Sequence, residues 1–423
     1  MQSYYGGRAE CRIRKTKVPV VYTDFTSQYP TVNALLGNWQ VLTASSISFD
    51  TCTAEVRKML FKLELDKTFN RSFWKELSFF ALVQPEEDIF PVRTTYNNRT
   101  PNIGLNYLSS KEPVWYAGPD IVASKLLSGR IPKIIKAIRM VAKGQQTKME
   151  PTNLGGMIEI KPLEDDFFVR VIEQRILHKH ENKPLADFLK VLANSGSYGL
   201  FVQVNPETLK KPKDIKVFSG TTSKIMPSLY VEKVGPWYFP PLASLITSGG
   251  RLLLAMLERC VKAARGSYLF CDTDSMCIVS TRNGSLIRCE GGDHKLNGKD
   301  AVRALSFKQV NSIAERFKQL NPYNPSLVKE ILKIEDINHI DSNSKKPRHQ
   351  LFGYAISAKR YALFTEAGKD ISIVKASGHG LGYLFAPMES KKATDEEGDD
   401  EEGAGSLVVN IVPGDFKFNA LER

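Results

Sequence analysis

With 423 residues and 42% hydrophobic content, the chain can bury a sizeable core and has the length for two or three domains or subdomains. Its formal net charge of +12 favours a polyanionic partner such as nucleic acid over an acidic small molecule. The six cysteines make no C-x-x-C pair and no cluster with histidines, and no run of about 18 or more apolar residues occurs, so the sequence speaks against a zinc site, a disulfide framework and a membrane partner and predicts a cytoplasmic protein.

In chain order, the apolar run VPVVY (18–22) leads into Asp24 and predicts a buried strand ending in a polar loop, with Asp24 at its C-terminal edge. Between 33 and 150 helix and strand signals mix, with turns expected at TYNNRTPN (94–101) and GPD (118–120). The stretch 121–144 predicts a helix broken or restarted at Pro132, its lysines and arginines on the wet face. From 164 to 199, EDDFFVRVIEQRILHKHENKPLADFLKVLANSGSYG predicts two helices joined by the polar turn HENKP. Acidic residues open the first and basic ones close it, which suits the helix dipole, and Pro184 suits the first turn of the second.

Short strand-like pieces are expected next, then a long amphipathic helix (242–266) that delivers the chain to YLFCDTDSMCIVS (268–280). Beyond lie a variable basic region (281–350), a hairpin at LFGYAISAKRYALF (351–364) and the glycine-spaced KASGHGLG (375–382), where His379 reads as a loop histidine rather than a ligand. The tract ATDEEGDDEEGAGS (393–406) is low-complexity and acidic and predicts a disordered loop or tail. There is no internal repeat.

Two carboxylates in a strand-forming run need compensation, because an uncompensated carboxylate in apolar surroundings costs several kcal/mol or shifts until it is neutral. Strand alternation places Asp272 and Asp274 on one face, where with Asp24 they could share divalent cations through hard oxygen ligands. Two metals roughly 3.5–4 Å apart can clamp the attacking and leaving oxygens of a phosphoryl transfer. An isolated D-x-D is more often a turn with solvated aspartates.

Three segments shift that balance together. DFTSQYPT (24–31) resembles motif A of family B DNA polymerases (D-x-x-S-L-Y-P), KVLANSGSYG (190–199) resembles motif B (K-x-x-x-N-S-x-Y-G), and CDTDS (271–275) resembles motif C (Y-x-D-T-D-S), in the family's order. YYGG (4–7) is similar to the Y-x-G-G segment between exonuclease and polymerase domains, TSGGR (247–251) to the T-x-x-G-R segment, and AKRY (358–361) to the K-x-Y motif that holds the primer terminus.

The resemblance implies an α+β right-hand polymerase core with an antiparallel-sheet palm, a short two-helix fingers element and an incomplete thumb. Along the chain these would be an N-terminal part of the palm (1–163) with an insertion at about 40–150, fingers (164–199), a C-terminal part of the palm (200–375), and a partial thumb or acidic tail (376–423). It implies a DNA-directed DNA polymerase acting with two Mg2+ ions, Mn2+ being the alternative, on dNTPs and primer-template DNA. Asp24 and Asp274 would be metal ligands and Asp272 a supporting catalytic neighbour. Amides around Thr26, Ser27 and Gln28 would hold the triphosphate, and Tyr29 would stack beneath the incoming sugar and exclude a 2′-hydroxyl.

Arg175 and Lys179, spaced to share a helix face, with Lys190 from the facing helix, would neutralise the triphosphate; Asn194 completes that nucleotide set. Tyr4, Gly6, Gly7, Tyr198, Gly199, Arg251, Lys359, Arg360 and Tyr361 would face DNA, Arg251 alternatively pinning a palm helix. Motif B departs from the family pattern, since Tyr198-Gly199 arrives one residue late and Gly196 has to absorb the excess in a bulge or early helix end. Gln28 replaces the usual leucine of motif A, and Cys271 precedes the first aspartate of motif C.

No proofreading domain is expected, because the chain starts almost at Y-x-G-G, and the spacing between Asp24 and Arg175 resembles the protein-primed phage and linear-plasmid type. A terminal-protein primer, or a separate chain bearing an exonuclease or thumb, would then be a further partner. Two rivals stand beside this reading: a catalytically weak DNA-binding remnant, and a D-x-D metal-dependent glycosyltransferase, which leaves DFTSQYP and Lys190 unexplained.

Overall fold

VPVVYTDF is rich in β-branched and aromatic residues and forms the strand Val18–Phe25, buried along most of its length, in a computed structural model that describes residues 3–93, 102–219, 222–368 and 370–378. The expected turn at 94–101, His379, the acidic tract 393–406 and most of 376–423 lie outside those residues. The described chain is a mixture of helices and antiparallel sheets. It divides into two units: Met1–Gly7, Thr26–Met256 and Phe317–Ile331 form one, and Arg8–Phe25, Leu257–Arg316 and Leu332–Arg423 the other.

The second unit is built on a sheet in which Ala9–Cys11, Tyr268–Asp272, Ser275–Thr281, Val18–Phe25, Leu351–Ser357, Arg360–Ala367 and Asp370–Gly378 lie side by side, each antiparallel to the next. The hairpin expected at 351–364 is the Leu351–Ser357/Arg360–Ala367 pair. Val18, Val20, Leu269, Phe270, Cys277, Leu351 and Leu363 fill its core, and Phe270 stacks on Tyr361 with ring centroids 3.9 Å apart. Gly353 sits where an added Cβ would lie 2.4 Å from a terminal methyl of Leu269, so a side chain there would require that leucine to shift.

The first unit holds a four-stranded antiparallel sheet in the order Ser46–Thr51, Lys133–Lys143, Phe79–Gln84, Val114–Ala117. Here the sequence expectation fails. Residues 121–144 are not one broken helix: the helix Gly118–Ser128, whose first residues are the GPD expected as a turn, ends at Gly129 in the left-handed region (φ 75°), and Lys133–Lys143 is a strand paired on both edges. The buried residues Ile134, Ala137 and Met140 recur every three positions and imitate a helix. A register shift opposite Leu82/Val83 skips the exposed Ile135 and accounts for the first of these steps, from Ile134 to Ala137.

The expected helical pair is Phe167–His178 and Lys183–Ser195. Asp166 caps the first by accepting from the Phe168 and Val169 amides, Asn182 caps the second through the Leu185 amide, and Pro184 lies in its first turn. The second helix stops at Ser195, with the Gly196 N–H bonded to the Leu192 carbonyl, so the extra residue of motif B falls into an early helix end. The following pieces are a long two-stranded ribbon, Val204–Ser219 with Thr222–Val234, rather than short strands.

The helix Pro240–Ala263 is, among the described residues, long and apolar enough to cross a membrane by length and composition, and 89% of its most apolar window is buried. The sequence had shown no unbroken apolar run there because Ser, Thr, Gly and Arg interrupt it. At Gly249 an added Cβ would lie 2.3 Å from a Val32 methyl, which explains the glycine of TSGGR as a close helix approach. Gly249→Ala is expected to cost about 1–3 kcal/mol in urea unfolding through overpacking, and Val32→Ala in the same chain to recover part of it. Equal stability of Gly249→Ala and wild type would refute the contact.

Candidate active site

In the second unit, Val18–Phe25 and Ser275–Thr281 pair with Asp24 opposite Ser275, and the Phe25 N–H donates to the Asp274 carbonyl at 2.8 Å. Register alone therefore brings the motif A aspartate beside the turn Thr273-Asp274 between Tyr268–Asp272 and Ser275–Thr281. That turn is tight. The Asp274 N–H reaches the Asp272 carbonyl at 2.7 Å across Thr273, a β-branched residue at φ 56°, a conformation that costs on the order of 1–3 kcal/mol.

Burial, then the charges of Asp274 and Glu335, push the Asp24 carboxyl well above the usual carboxylate range; Lys375 and Lys333 oppose them. Lys375 donates to the Tyr22 hydroxyl at 2.9 Å and lies 4.5 Å from that ring's centroid. Burial first, and Asp24 next, raise the Tyr22 phenol. Lys333 is held between Glu335 at 3.6 Å and Asp336 at 3.1 Å. The Asp272 carboxylate accepts from Lys359 Nζ at 3.0 Å.

Two like-charged carboxylates pressed together, one of them resisting ionisation, are a donor set that a divalent cation would relieve, and their hard oxygens fit Mg2+ or Mn2+. Among the described residues no three His, Cys, Asp or Glu side chains converge as a metal-ligand set. Two protein carboxylates are enough where substrate phosphates and water complete the coordination, the usual manner of binding Mg2+.

In the first unit, Ser27 stands just before the helix Gln28–Leu36 in the left-handed region (φ 43°), and its hydroxyl accepts from Arg175 Nη1 at 3.1 Å. Burial lowers the Arg175 pKa from its ordinary value, an effect that Asp187 and Tyr323 oppose. The Thr26 amide is committed to the Ile331 carbonyl at 2.8 Å. Gln28 is buried, its Nε2 pointing at the Gly250 carbonyl at 3.5 Å. Tyr29 is half-buried and its ring lies 4.6 Å from that of Tyr198, tilted by 57°. Gly250 makes room for both, since a Cβ there would lie 2.5 Å from Gln28 and 3.2 Å from the Tyr29 ring. Thr31 and the buried Tyr323 share a hydrogen bond of 2.8 Å that ties this helix to the segment Phe317–Ile331.

Lys179 is exposed and caps the C-terminal end of Phe167–His178; Lys190 is half-buried, and Asn194 and Gly199 are exposed. Arg251 is placed in the interior instead of on a DNA-facing surface. Only 2% exposed, it clasps Asp120 through two 2.8 Å bonds and donates to the Tyr5 carbonyl at 2.9 Å and to the Gly6 carbonyl. Tyr4 and Gly6 are half-buried and Gly7 is exposed. Arg360 is exposed, whereas Tyr361 is buried against Phe270 with its phenol raised by burial and then by Asp272. Sequence reasoning missed Tyr22, Lys333, Glu335 and Lys375; the first and last lie inside VPVVY and KASGHGLG, with no spacing signal of their own.

No family model matches the chain, and no curated protein matches its sequence. Among solved structures it is similar to Phi29 DNA polymerase complexed with primer-template DNA and incoming nucleotide substrates, with TM-score 0.42 and 13% identity over 88% of this chain and 50% of that one. An orthorhombic crystal form of Phi29 DNA polymerase matches with TM-score 0.42 and 13% identity, covering 89% and 51%, and its complex with single-stranded DNA with TM-score 0.39 and 13% identity over the same shares. The chain spans about half the length of the solved structures it matches.

Proposed function

We propose that this chain is an α+β polymerase core that adds deoxynucleoside monophosphates to a primer 3′-hydroxyl under the direction of a DNA template. The observation that supports this reading is the strand register that sets Asp24 beside the turn holding Asp274, the two residues to which the motif resemblance gives the role of metal ligands. The sheet of the second unit would serve as palm and the pair Phe167–His178 and Lys183–Ser195 as fingers.

Asp24 and Asp274 would hold Mg2+ or Mn2+, which when bound supplies charge neutralisation to the reacting phosphate. Asp272, engaged by Lys359, takes a supporting part, and its ion pair keeps that lysine at the edge of the DTD turn. With the Thr26 amide spent on Ile331, the triphosphate cradle is assigned to Ser27 and Gln28 at the helix N-terminus, with Arg175 beside Ser27. Lys179, Lys190 and Asn194 complete the nucleotide set. Lys359 and Arg360 grip the primer backbone as cations, and Tyr361 shapes that edge from the core.

Primer extension with purified protein, labelled primer-template and dNTPs is the test. Extension is expected; template binding without extension would make the chain a remnant dependent on a partner chain, and untemplated transfer from a sugar nucleotide would revive the glycosyltransferase reading. Tyr29→Ala is expected to raise ribonucleotide incorporation relative to deoxynucleotide incorporation by roughly 10-fold or more, the size of losing one well-packed steric contact. Competitive incorporation of matched rNTP and dNTP measures it, and an unchanged ratio removes Tyr29 from sugar selection.

A further inference from the structure

Arg8 follows the YYGG segment and is 3% exposed in the second unit. Among the described residues its Nη2 makes three side-chain bonds: 2.5 Å to Glu258, 2.8 Å to Glu10 and 3.2 Å to the Tyr268 hydroxyl. Its Nε and Nη1 are buried with no partner among the described residues. Glu258 also takes Lys262 at 2.5 Å, and the two cations hold its carboxyl below the usual range although burial pushes the other way. Such a charge is costly to bury and needs a reason.

The main chain offers one. The Arg8 carbonyl accepts the Thr273 N–H at 2.8 Å, and Thr273 is the strained residue between Asp272 and Asp274. The next residue, Ala9, pairs with Asp272 as the strand Ala9–Cys11 adds to Tyr268–Asp272. A three-residue edge strand holds weakly by itself. The buried ion pair to Glu258, 250 residues away, fixes where it lies, and through its carbonyl the conformation of the turn.

We propose that Arg8 is a positioning residue: its side chain, anchored on Glu258 and Glu10, holds its carbonyl against Thr273 and so sets the D-T-D turn that presents Asp274. The role rests on the polymerase reading for its consequence, metal binding, but its geometry can be read without any activity. Because one nitrogen makes all three contacts, a lysine ammonium with three donors can replace it, whereas methionine cannot.

Two readouts test this on the whole chain: hydrogen exchange of the Thr273 amide, and Mn2+ binding followed by the loss of its free-ion EPR signal. Arg8→Met is expected to speed Thr273 exchange at least 10-fold and to weaken Mn2+ binding by about 10- to 100-fold, as outer-shell partners of metal ligands do. Arg8→Lys is expected to stay within about 3-fold of wild type in both. Val20→Ala, a core truncation in the same sheet, controls for lost stability and is expected to leave Mn2+ affinity unchanged. Should Arg8→Met fail to fold, Glu258→Gln, which keeps the shape and removes the anchoring charge, is expected to show the same two changes.

Wild-type exchange and Mn2+ affinity in folded Arg8→Met or Glu258→Gln would overturn the proposal, as would an equal loss of Mn2+ binding in Val20→Ala. Absence of Mn2+ binding in the wild type would instead strike the polymerase reading, with Thr273 exchange still deciding the role of Arg8.

Discussion

Asp24→Ala and Asp274→Ala are each expected to lower primer extension by about 10³-fold or more, the rate equivalent of roughly 4 kcal/mol of transition-state stabilisation, while leaving primer-template binding within a few-fold. Single-turnover extension and fluorescence anisotropy measure the two quantities. Asp24→Asn sharpens the test because the native carboxyl is pressed by burial, Asp274 and Glu335 toward its neutral form. Removing the charge therefore relieves repulsion, so the metal-free variant is expected to melt no lower than wild type while losing activity. A variant that loses activity only in proportion to lost folding, or one that extends at the normal rate, would sink the metal-ligand assignment. Asp272→Ala is expected to do less, since its carboxylate is engaged by Lys359.

What the sequence disclosed and what it hid divide along a physical line. Local signals, such as the apolar run before Asp24 and the charge order and Pro184 of the helical pair, correspond to the elements Val18–Phe25 and Phe167–His178 with Lys183–Ser195, and the hairpin expected at 351–364 to Leu351–Ser357 with Arg360–Ala367. They were legible because each depends on residues within a turn or two of one another. The strand Lys133–Lys143 was not, because its buried residues Ile134, Ala137 and Met140 fall at a helical spacing, to which a register shift at Ile135 contributes. The surroundings of Asp24 were not either. Lys375 and Glu335 reach it from strands and turns more than three hundred residues away, and only sheet order decides that. Arg251 is the same lesson: a cation in that motif allowed either a DNA contact or a helix-pinning role, and only its partner Asp120, 131 residues away, distinguishes them.

Arg251→Met is accordingly expected to act on folding before anything else. Both side chains of the Arg251–Asp120 pair are 1% exposed, and methionine would leave the Asp120 carboxylate buried without its bidentate partner and the Tyr5 carbonyl without its donor. Breaking such a pair from one side costs about 3–5 kcal/mol. Urea unfolding should show a loss of that size, and Arg251→Lys should recover little of it, since an ammonium cannot match the two-oxygen grip and still reach the Tyr5 and Gly6 carbonyls. Arg251→Met with Asp120→Leu removes both charges, and a stability nearer to wild type than that of either single variant is expected, because the penalty arises from the orphaned partner rather than from a missing attraction. DNA affinity of the folded fraction should be unchanged in all of them. A variant that keeps full stability but loses DNA binding would return Arg251 to the nucleic-acid surface and require the interior ion pair to open when DNA binds.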